Sequence, residues 1–109
     1  MLLNAVAAIV PAEKLRDYLL SSAHPIGRYK SAFFRSLGYA PEHWQVLERD
    51  LRGVLSSEAQ PSPGTEYGRK FTVRGALTGP NGRAGRIVSV WIILTGETAP
   101  RFVTAYPEA

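Results

Sequence analysis

The spacing of apolar residues in this chain changes once, from a helical period to a period of two. In the first half they recur three and four positions apart, as they do from Trp44 to Val54. From Tyr67 onward they alternate with polar residues. Because the two periods suit different backbones, this order predicts a single α+β domain over residues 1–109. N-terminal helices are expected to pack on a C-terminal antiparallel β-meander of three to four strands.

Proline and glycine mark the ends of three predicted helices. Pro11 and Pro41 stand at the first positions of the first and third helices, where a missing N–H costs little. The second helix is predicted over about 29–37 and is followed by Gly38, a residue suited to end a helix. The helical half is therefore expected to cover about residues 11–55.

The β half is predicted over about residues 67–107. Gly, Pro and Asn over 79–82 predict a tight turn between two strands, and the almost continuous apolar run over 86–94 is typical of a central strand. Residues 56–66 are rich in Ser, Pro and Gly, which predicts a loop between the two halves. The apolar residues 1–10 are a candidate for a fourth strand.

The composition excludes several classes of site. The chain has no Cys, so disulfides and thiolate metal sites are ruled out. Neither His24 nor His43 stands in a metal-ligand cluster, and we expect no metal and no other cofactor. No phosphate-binding loop, dinucleotide fingerprint or nucleophile elbow is present. Residues 1–10 lack a basic leader and are too short to cross a bilayer, so we expect a cytoplasmic protein with no membrane partner.

The charge of the chain is basic, and its cations are mostly arginine. The formal net charge is +4, and ten of the thirteen basic residues are Arg, which favours contact with phosphate or carboxylate. Lys70, Thr72 and Arg74 share one face of the first long strand, while Arg83 and Arg86 flank the turn. This row is suited to follow a phosphate backbone, and it is equally typical of a solvated strand face.

The segment over residues 24–30 brings together an imidazole, two cations and a phenol in the break between two predicted helices. Imidazole is suited to proton transfer near neutral pH, and Lys or Arg is suited to bind phosphate. His24 is therefore a candidate acid or base, and Lys30 or Arg28 a candidate phosphate ligand at the start of a helix. The structural alternative is that His24 ends the first helix and Lys30 is solvated on the second.

The last predicted strand carries two hydroxyl groups. Alternation places Phe102, Thr104 and Tyr106 on one face, with Arg101, Val103 and Ala105 on the other. If the first face meets the helices, Thr104 and Tyr106 would lie near a cleft, where a hydroxyl orients a phosphate or a water. The structural alternative is a Thr selected only for its β propensity.

Four stretches of the chain together form a recognisable pattern: Lys14-Leu15-Arg16-Asp17-Tyr18-Leu19-Leu20, His24-Pro25-Ile26-Gly27-Arg28-Tyr29-Lys30, Leu77-Thr78-Gly79-Pro80-Asn81-Gly82 and Val103-Thr104-Ala105-Tyr106-Pro107. This pattern resembles that of an uncharacterised family of small bacterial domains. Members of this family look like toxin components, often encoded near a small putative antitoxin.

The order of helices before a meander, with Thr and Tyr on the last strand, also resembles the barnase/EndoU/colicin/RelE-like class of metal-independent ribonuclease toxins. That resemblance implies His24 as general base or acid and Lys30 as stabiliser of the pentavalent phosphate. It implies that Thr104 and Tyr106 line the scissile phosphate, with Arg101 as a further anion contact.

These observations support three functional hypotheses. The first is the toxin of a bacterial toxin–antitoxin pair, a metal-independent endoribonuclease that acts on RNA and is neutralised by a small antitoxin protein. The second is a non-catalytic module that binds nucleic acid or protein through Lys70 and Arg74. The third is an antitoxin or immunity-type protein, which the positive charge disfavours because partners of basic toxins are usually acidic.

Overall fold

The computed structural model describes residues 4–23 and 28–108, without the side chains of residues 28 and 29. Helices precede strands, and this confirms the predicted α+β class. The helical elements are α1 (Ala12–Lys14), which continues directly as a π-helical segment (Leu15–Leu19), α2 (Arg28–Ser36) and α3 (Trp44–Val54), with 3₁₀ turns at Ala5–Ala7 and Pro41–His43. The strands are β1 (Ala59–Thr65), β2 (Gly68–Thr78), β3 (Ala84–Leu94) and β4 (Arg101–Pro107).

The four strands form one antiparallel sheet in the order β1-β2-β3-β4. The helices cover the face of the sheet from which Trp91 projects, and this side chain is fully buried. Its ring packs edge to face against Phe102 of β4, with ring centroids 5.3 Å apart. On β2, Gly75 lets α3 approach closely, because a Cβ there would lie 3.0 Å from a methyl group of Val54.

The predicted end of α2 is confirmed, and the predicted start of the third helix is confirmed in part. Gly38 has φ 97°, a left-handed conformation, and its N–H bonds the carbonyl of Arg35 at 2.9 Å, which ends α2 as predicted. The third helix begins with a 3₁₀ turn at Pro41–His43 before α3 proper. Within the described ranges, no helix has the length and apolar character needed to span a membrane.

The predicted loop over residues 56–66 is wrong, because β1 lies within it. Ala59–Thr65 pairs with β2 as an edge strand. Pro61 and Pro63 led to the prediction of a loop. An edge strand tolerates prolines, because one side of it has no neighbouring strand and a missing N–H on that side breaks no hydrogen bond. The β half therefore starts earlier than residue 67, and β1 supplies the fourth strand.

The candidate strand over residues 1–10 is also wrong for the part that the structure describes. Residues 5–7 form a 3₁₀ turn, and Ile9 makes an isolated parallel bridge with Arg101 at the start of β4. The Ile9 N–H bonds the Pro100 carbonyl at 2.8 Å, and the Phe102 N–H bonds the Ile9 carbonyl at 2.9 Å. The bridge ties the chain that leads into α1 to the same sheet edge as β4.

The wide turns after α1 set the position of Tyr18. The N–H of Leu20 bonds the carbonyl of Leu15 at 2.9 Å, a separation of five residues that defines π-helical geometry. Such turns are rare and often occur at functional sites. Leu15 and Leu19 are fully buried, whereas Tyr18 is half-buried and its hydroxyl reaches β4.

A bulge in β4 overturns the predicted alternation of its side chains. Val90 of β3 faces Thr104, but the next residue, Trp91, faces Phe102, so Val103 is an extra residue in the strand. An inserted residue reverses the faces beyond it. Phe102 therefore lies on the core face with Trp91, while Thr104 and Tyr106 follow the opposite face, and the prediction that all three share one face is wrong.

Candidate functional site

Lys30 links the helices to β4 at the bulge. Its Nζ donates to the Tyr18 hydroxyl at 2.7 Å and to Thr104 Oγ1 at 3.0 Å. The Tyr18 and Thr104 hydroxyl oxygens are 3.5 Å apart, so the three polar groups form a closed triangle. Two residues that the sequence singled out separately, Lys30 and Thr104, therefore touch, with Tyr18 between them.

The environment of Tyr18 lowers the pKa of its phenol. Burial raises the pKa of the phenol, but the hydrogen bonds from Lys30 and Thr104 and the positive charges of Lys30 and Lys14 lower it, and the net pKa is below the usual value. The Lys30 Nζ also lies 5.2 Å from the centroid of the Tyr18 ring. The phenol is thus a better proton donor, and more readily a phenolate, than an exposed tyrosine.

A second ammonium group contacts β4 at the bulge. Lys14 Nζ donates to the carbonyl of Val103, the extra residue of the bulge, at 3.1 Å. Lys14 and Tyr18 are four residues apart on consecutive turns, so both side chains reach the same part of β4. The bulge therefore supplies an anchor for Lys14 next to the hydroxyl of Thr104.

The cluster lies beside an open pocket of about 420 Å³, a volume typical of sites for small ligands. It is lined by Glu13, Lys14, Tyr18, Val103 and Thr104, so its wall carries a carboxylate as well as an ammonium group, a phenol and a hydroxyl. Lys30 approaches from α2 through its bonds to Tyr18 and Thr104. Two cations, a phenol and a hydroxyl next to an accessible cavity can bind a phosphate and move protons at it.

A second pocket of about 410 Å³ lies between α3 and β2 and has different chemistry. Its cation, Arg49, lies 3.1 Å from the carboxylate of Asp50, which also accepts a 2.6 Å hydrogen bond from Tyr39. Burial and the adjacent Asp50 raise the pKa of Tyr39 well above its usual value. This phenol remains neutral, so its bond to Asp50 is structural, in contrast to Tyr18.

The other candidate site residues are placed around this cluster in different ways. His24 lies outside the described residues, and Arg28 is the first residue of α2. Tyr106 follows Thr104 on the same face of β4 and is 38 % exposed. Arg101 Nε and Nη2 bond the two carboxylate oxygens of Glu97 at 2.9 and 3.2 Å, so its cation already has a carboxylate partner.

The basic row on the outer face of the sheet is separate from the pocket. Lys70 and Arg74 lie on β2, two strands from β4, which corresponds to about 10 Å. Arg74 Nε and Arg86 Nε each lie 2.9 Å from an oxygen of the same carboxylate, that of Glu108. Arg83 is exposed in the turn before β3. The Glu108 carboxylate thus neutralises part of the positive charge of this row.

Lys14 and Tyr18 belong to the cluster, although the sequence did not identify them as functional residues. Tyr18 fitted the apolar spacing of the first helix, and Lys14 had no neighbour of interest in the sequence. Their spacing of four residues places them on one helix face. Which strand that face meets is decided by contacts between distant residues: Tyr18 with Thr104, 86 positions along the chain, and Lys14 with Val103, 89 positions along. In residues 4–23 and 28–108, no three His, Asp or Glu side chains are grouped so that they could hold a metal ion.

The fold and this pocket together describe a small α+β domain with a basic, phenol-containing pocket at the edge of its sheet. The family model of DUF6883, a domain of unknown function, matches residues 1–109, and the chain belongs to this family. No curated protein matches the chain.

The fold is similar to that of a chain in the contact-dependent growth inhibition toxin–immunity protein complex from Klebsiella pneumoniae 342. The TM-score is 0.72 and the sequences are 20% identical, with 92% of this chain and 99% of that chain covered. The two chains therefore share a fold over nearly their whole length.

Proposed function

We propose that this chain is the toxin of a bacterial toxin–antitoxin pair and acts as a metal-independent endoribonuclease. The observation that carries the proposal is the contact of Lys30 with both Tyr18 and Thr104 beside an open pocket that also holds Lys14. The 2′-hydroxyl of RNA would attack the adjacent phosphate, and the negative charge that develops there would be stabilised by the two ammonium groups.

Charge and geometry support a phosphate at this pocket. An ammonium group about 4 Å from a phosphate charge contributes about 4 kcal/mol at an effective dielectric of about 20. Thr104 is suited to orient a phosphate oxygen, and Tyr106 on the same face of β4 is suited to contact a neighbouring part of the RNA. The role of His24 as acid or base and that of Arg28 and Arg101 as anion contacts remain predictions from the sequence.

The structural comparison supports a protein partner. The similar chain belongs to a complex of a growth inhibition toxin and its immunity protein, and a fold of this kind is therefore compatible with one side of such a pair. The positive charge of this chain favours the toxin side, with a small acidic antitoxin as partner. RNA as substrate places the activity in the cytoplasm.

The test is expression of the wild-type chain and its Lys30→Met variant, followed by RNA cleavage with the purified proteins in excess EDTA. We expect the wild type to arrest growth and to cleave RNA under chelation. Lys30→Met should lower the cleavage rate about 10²–10³-fold, because loss of one preorganised donor at a developing charge typically costs that much.

The matched control is Arg35→Met, which removes one exposed cation from the same helix without touching the cluster. It should cleave RNA within twofold of the wild-type rate. Wild-type activity in Lys30→Met would contradict the proposed site, and activity lost in EDTA and restored by magnesium would contradict the metal-independent mechanism. RNA binding without cleavage would instead favour the non-catalytic module.

A further inference from the structure

The hydrogen bond between Tyr18 and Lys30 joins two titratable groups that have opposite charges when both are ionised. Their polar atoms are 2.7 Å apart, close enough for a proton to pass directly from one to the other. Thr104 Oγ1 lies within 3.5 Å of both atoms and fixes the pair against β4. The pocket gives an outside molecule access to Tyr18 and Thr104.

We propose that Tyr18 is the general base and Lys30 the general acid of the RNA cleavage, an assignment that rests on the proposed function. The Tyr18 phenolate takes the proton of the 2′-hydroxyl as the 2′-oxygen forms its bond to phosphorus. The bond from phosphorus to the 5′-oxygen breaks, and that oxygen takes a proton from the Lys30 ammonium. The products are a 2′,3′-cyclic phosphate and a 5′-hydroxyl, and no further reactant is consumed.

The pair restores itself after each cleavage. The step leaves Tyr18 as a neutral phenol and Lys30 as a neutral amine, and these two groups remain hydrogen-bonded partners. One proton transfer from the phenol to the amine regenerates the phenolate and the ammonium. The proposal therefore assigns both proton transfers of the cycle to these two residues.

The surroundings of Tyr18 lower the pKa of its phenol. Lys14 from the preceding turn and Lys30 from α2 bring positive charge to Tyr18, and β4 contributes the neutral hydroxyl of Thr104. Glu13 also lines the pocket, and its side chain is exposed. The pKa of Tyr18 falls because the two ammonium groups and the two hydrogen bonds outweigh the effect of burial.

The first experiment measures the ionisation of Tyr18 by the ultraviolet absorbance of phenolate, independently of any RNA. The difference between the wild type and Tyr18→Phe gives the titration of this phenol, and Tyr67→Phe, at a 68 % exposed tyrosine, is the matched control. We expect Tyr18 to titrate below the ordinary value of a tyrosine, and Lys30→Met to raise the pKa of Tyr18. A Tyr18 that titrates at or above that ordinary value overturns the assignment.

The second experiment uses an oligoribonucleotide that contains a cleavage site mapped with the wild-type chain, and the same molecule with sulfur in place of the 5′-oxygen. A thiolate leaves without a proton, so loss of the acid is rescued by sulfur and loss of the base is not. We expect Tyr18→Phe to be slowed about 10²–10⁴-fold on both substrates, and Lys30→Met to regain much of its rate on the sulfur substrate. Tyr67→Phe should match the wild type.

The pH–rate profile separates a base from a merely structural tyrosine. With 3-fluorotyrosine at position 18, the rising limb should move to lower pH, because fluorine lowers the pKa of the phenol. A limb that does not move, or a Tyr18→Phe variant that retains the wild-type limb, overturns the assignment and points to His24 as the base. Sulfur rescue of Tyr18→Phe would reverse the two roles, and a wild-type chain that cleaves no RNA would refute the proposed function itself.

Discussion

Ser89 lies fully buried on β3, and its loss should destabilise the sheet where it supports the site. Its Oγ donates to the carbonyl of Val73 on β2 at 2.8 Å and accepts from the indole Nε1 of Trp91 at 2.9 Å. Ser89 and Trp91 flank Val90, the residue opposite Thr104. The Ser89 hydroxyl therefore joins the Val73 backbone of β2 to the Trp91 side chain of β3, next to the bulge.

The Ser89→Ala variant keeps the Cβ and removes only the hydroxyl. The lost bond to Val73 is worth about 1 kcal/mol, and the indole N–H left without an acceptor in the core costs about 1–3 kcal/mol, so the free energy of unfolding should fall by about 2–4 kcal/mol. With an unfolding entropy of about 2.1 cal/mol/K per residue, a chain of 109 residues loses about 4 °C of melting temperature per kcal/mol. The expected decrease is thus about 8–16 °C.

Thermal and urea unfolding followed by tryptophan fluorescence and circular dichroism would measure this change. The matched control is Ser56→Ala, whose exposed hydroxyl donates to the carbonyl of Gly53 at 2.9 Å, and which should change the free energy by less than about 0.5 kcal/mol. In a Trp91→Phe background the cost of Ser89→Ala should fall, because the indole donor is already absent. A Ser89→Ala variant as stable as the control would refute the reasoning.

Two further predictions concern the outer face of the sheet. The hydrogen bond from Arg86 and the charges of Arg86 and Arg74 lower the pKa of Glu108, so this carboxylate stabilises the fold above its unfolded pKa of about 4.5 and loses that contribution as the pH falls through its lower folded pKa. Wild type and Glu108→Gln should therefore differ in melting temperature at pH 7 and converge near pH 2; a difference that persists there contradicts the ion pairs as its source. If the outer face follows a phosphate backbone, replacing Lys70 and Arg74 with Glu should weaken RNA binding and reduce its salt dependence. If the face binds protein, the same change should slow association with an acidic partner. No change in either assay would show that the row is only a solvated strand face.

The secondary structure of this chain follows largely from local signals. The change of apolar period predicted helices before strands, and Gly38 ended α2 because only a residue without a Cβ adopts its left-handed conformation at low cost. The turn after β2 was also predicted, since its Gly, Pro and Asn residues act within a few positions. Such signals depend on neighbours in the sequence, and the fold class could be derived from them.

Edge pairing and strand register required the tertiary structure. The Pro and Gly residues of β1 are typical of a loop, and only the presence of β2 beside them makes this segment a strand. In β4 the inserted Val103 reverses the face of Thr104, and no local signal distinguishes this strand from a regular one.

The candidate site shows the same division. Lys30 and Thr104 were identifiable from their residue types, whereas the role of Tyr18 and Lys14 was not. The bonds of the cluster join residues 74 and 86 positions apart, across the π-helical segment, α2 and β4. The sequence determined which elements form, but only their packing brought an ammonium group, a phenol and a hydroxyl together, because hydrogen bonds depend on distances that a one-dimensional pattern does not contain.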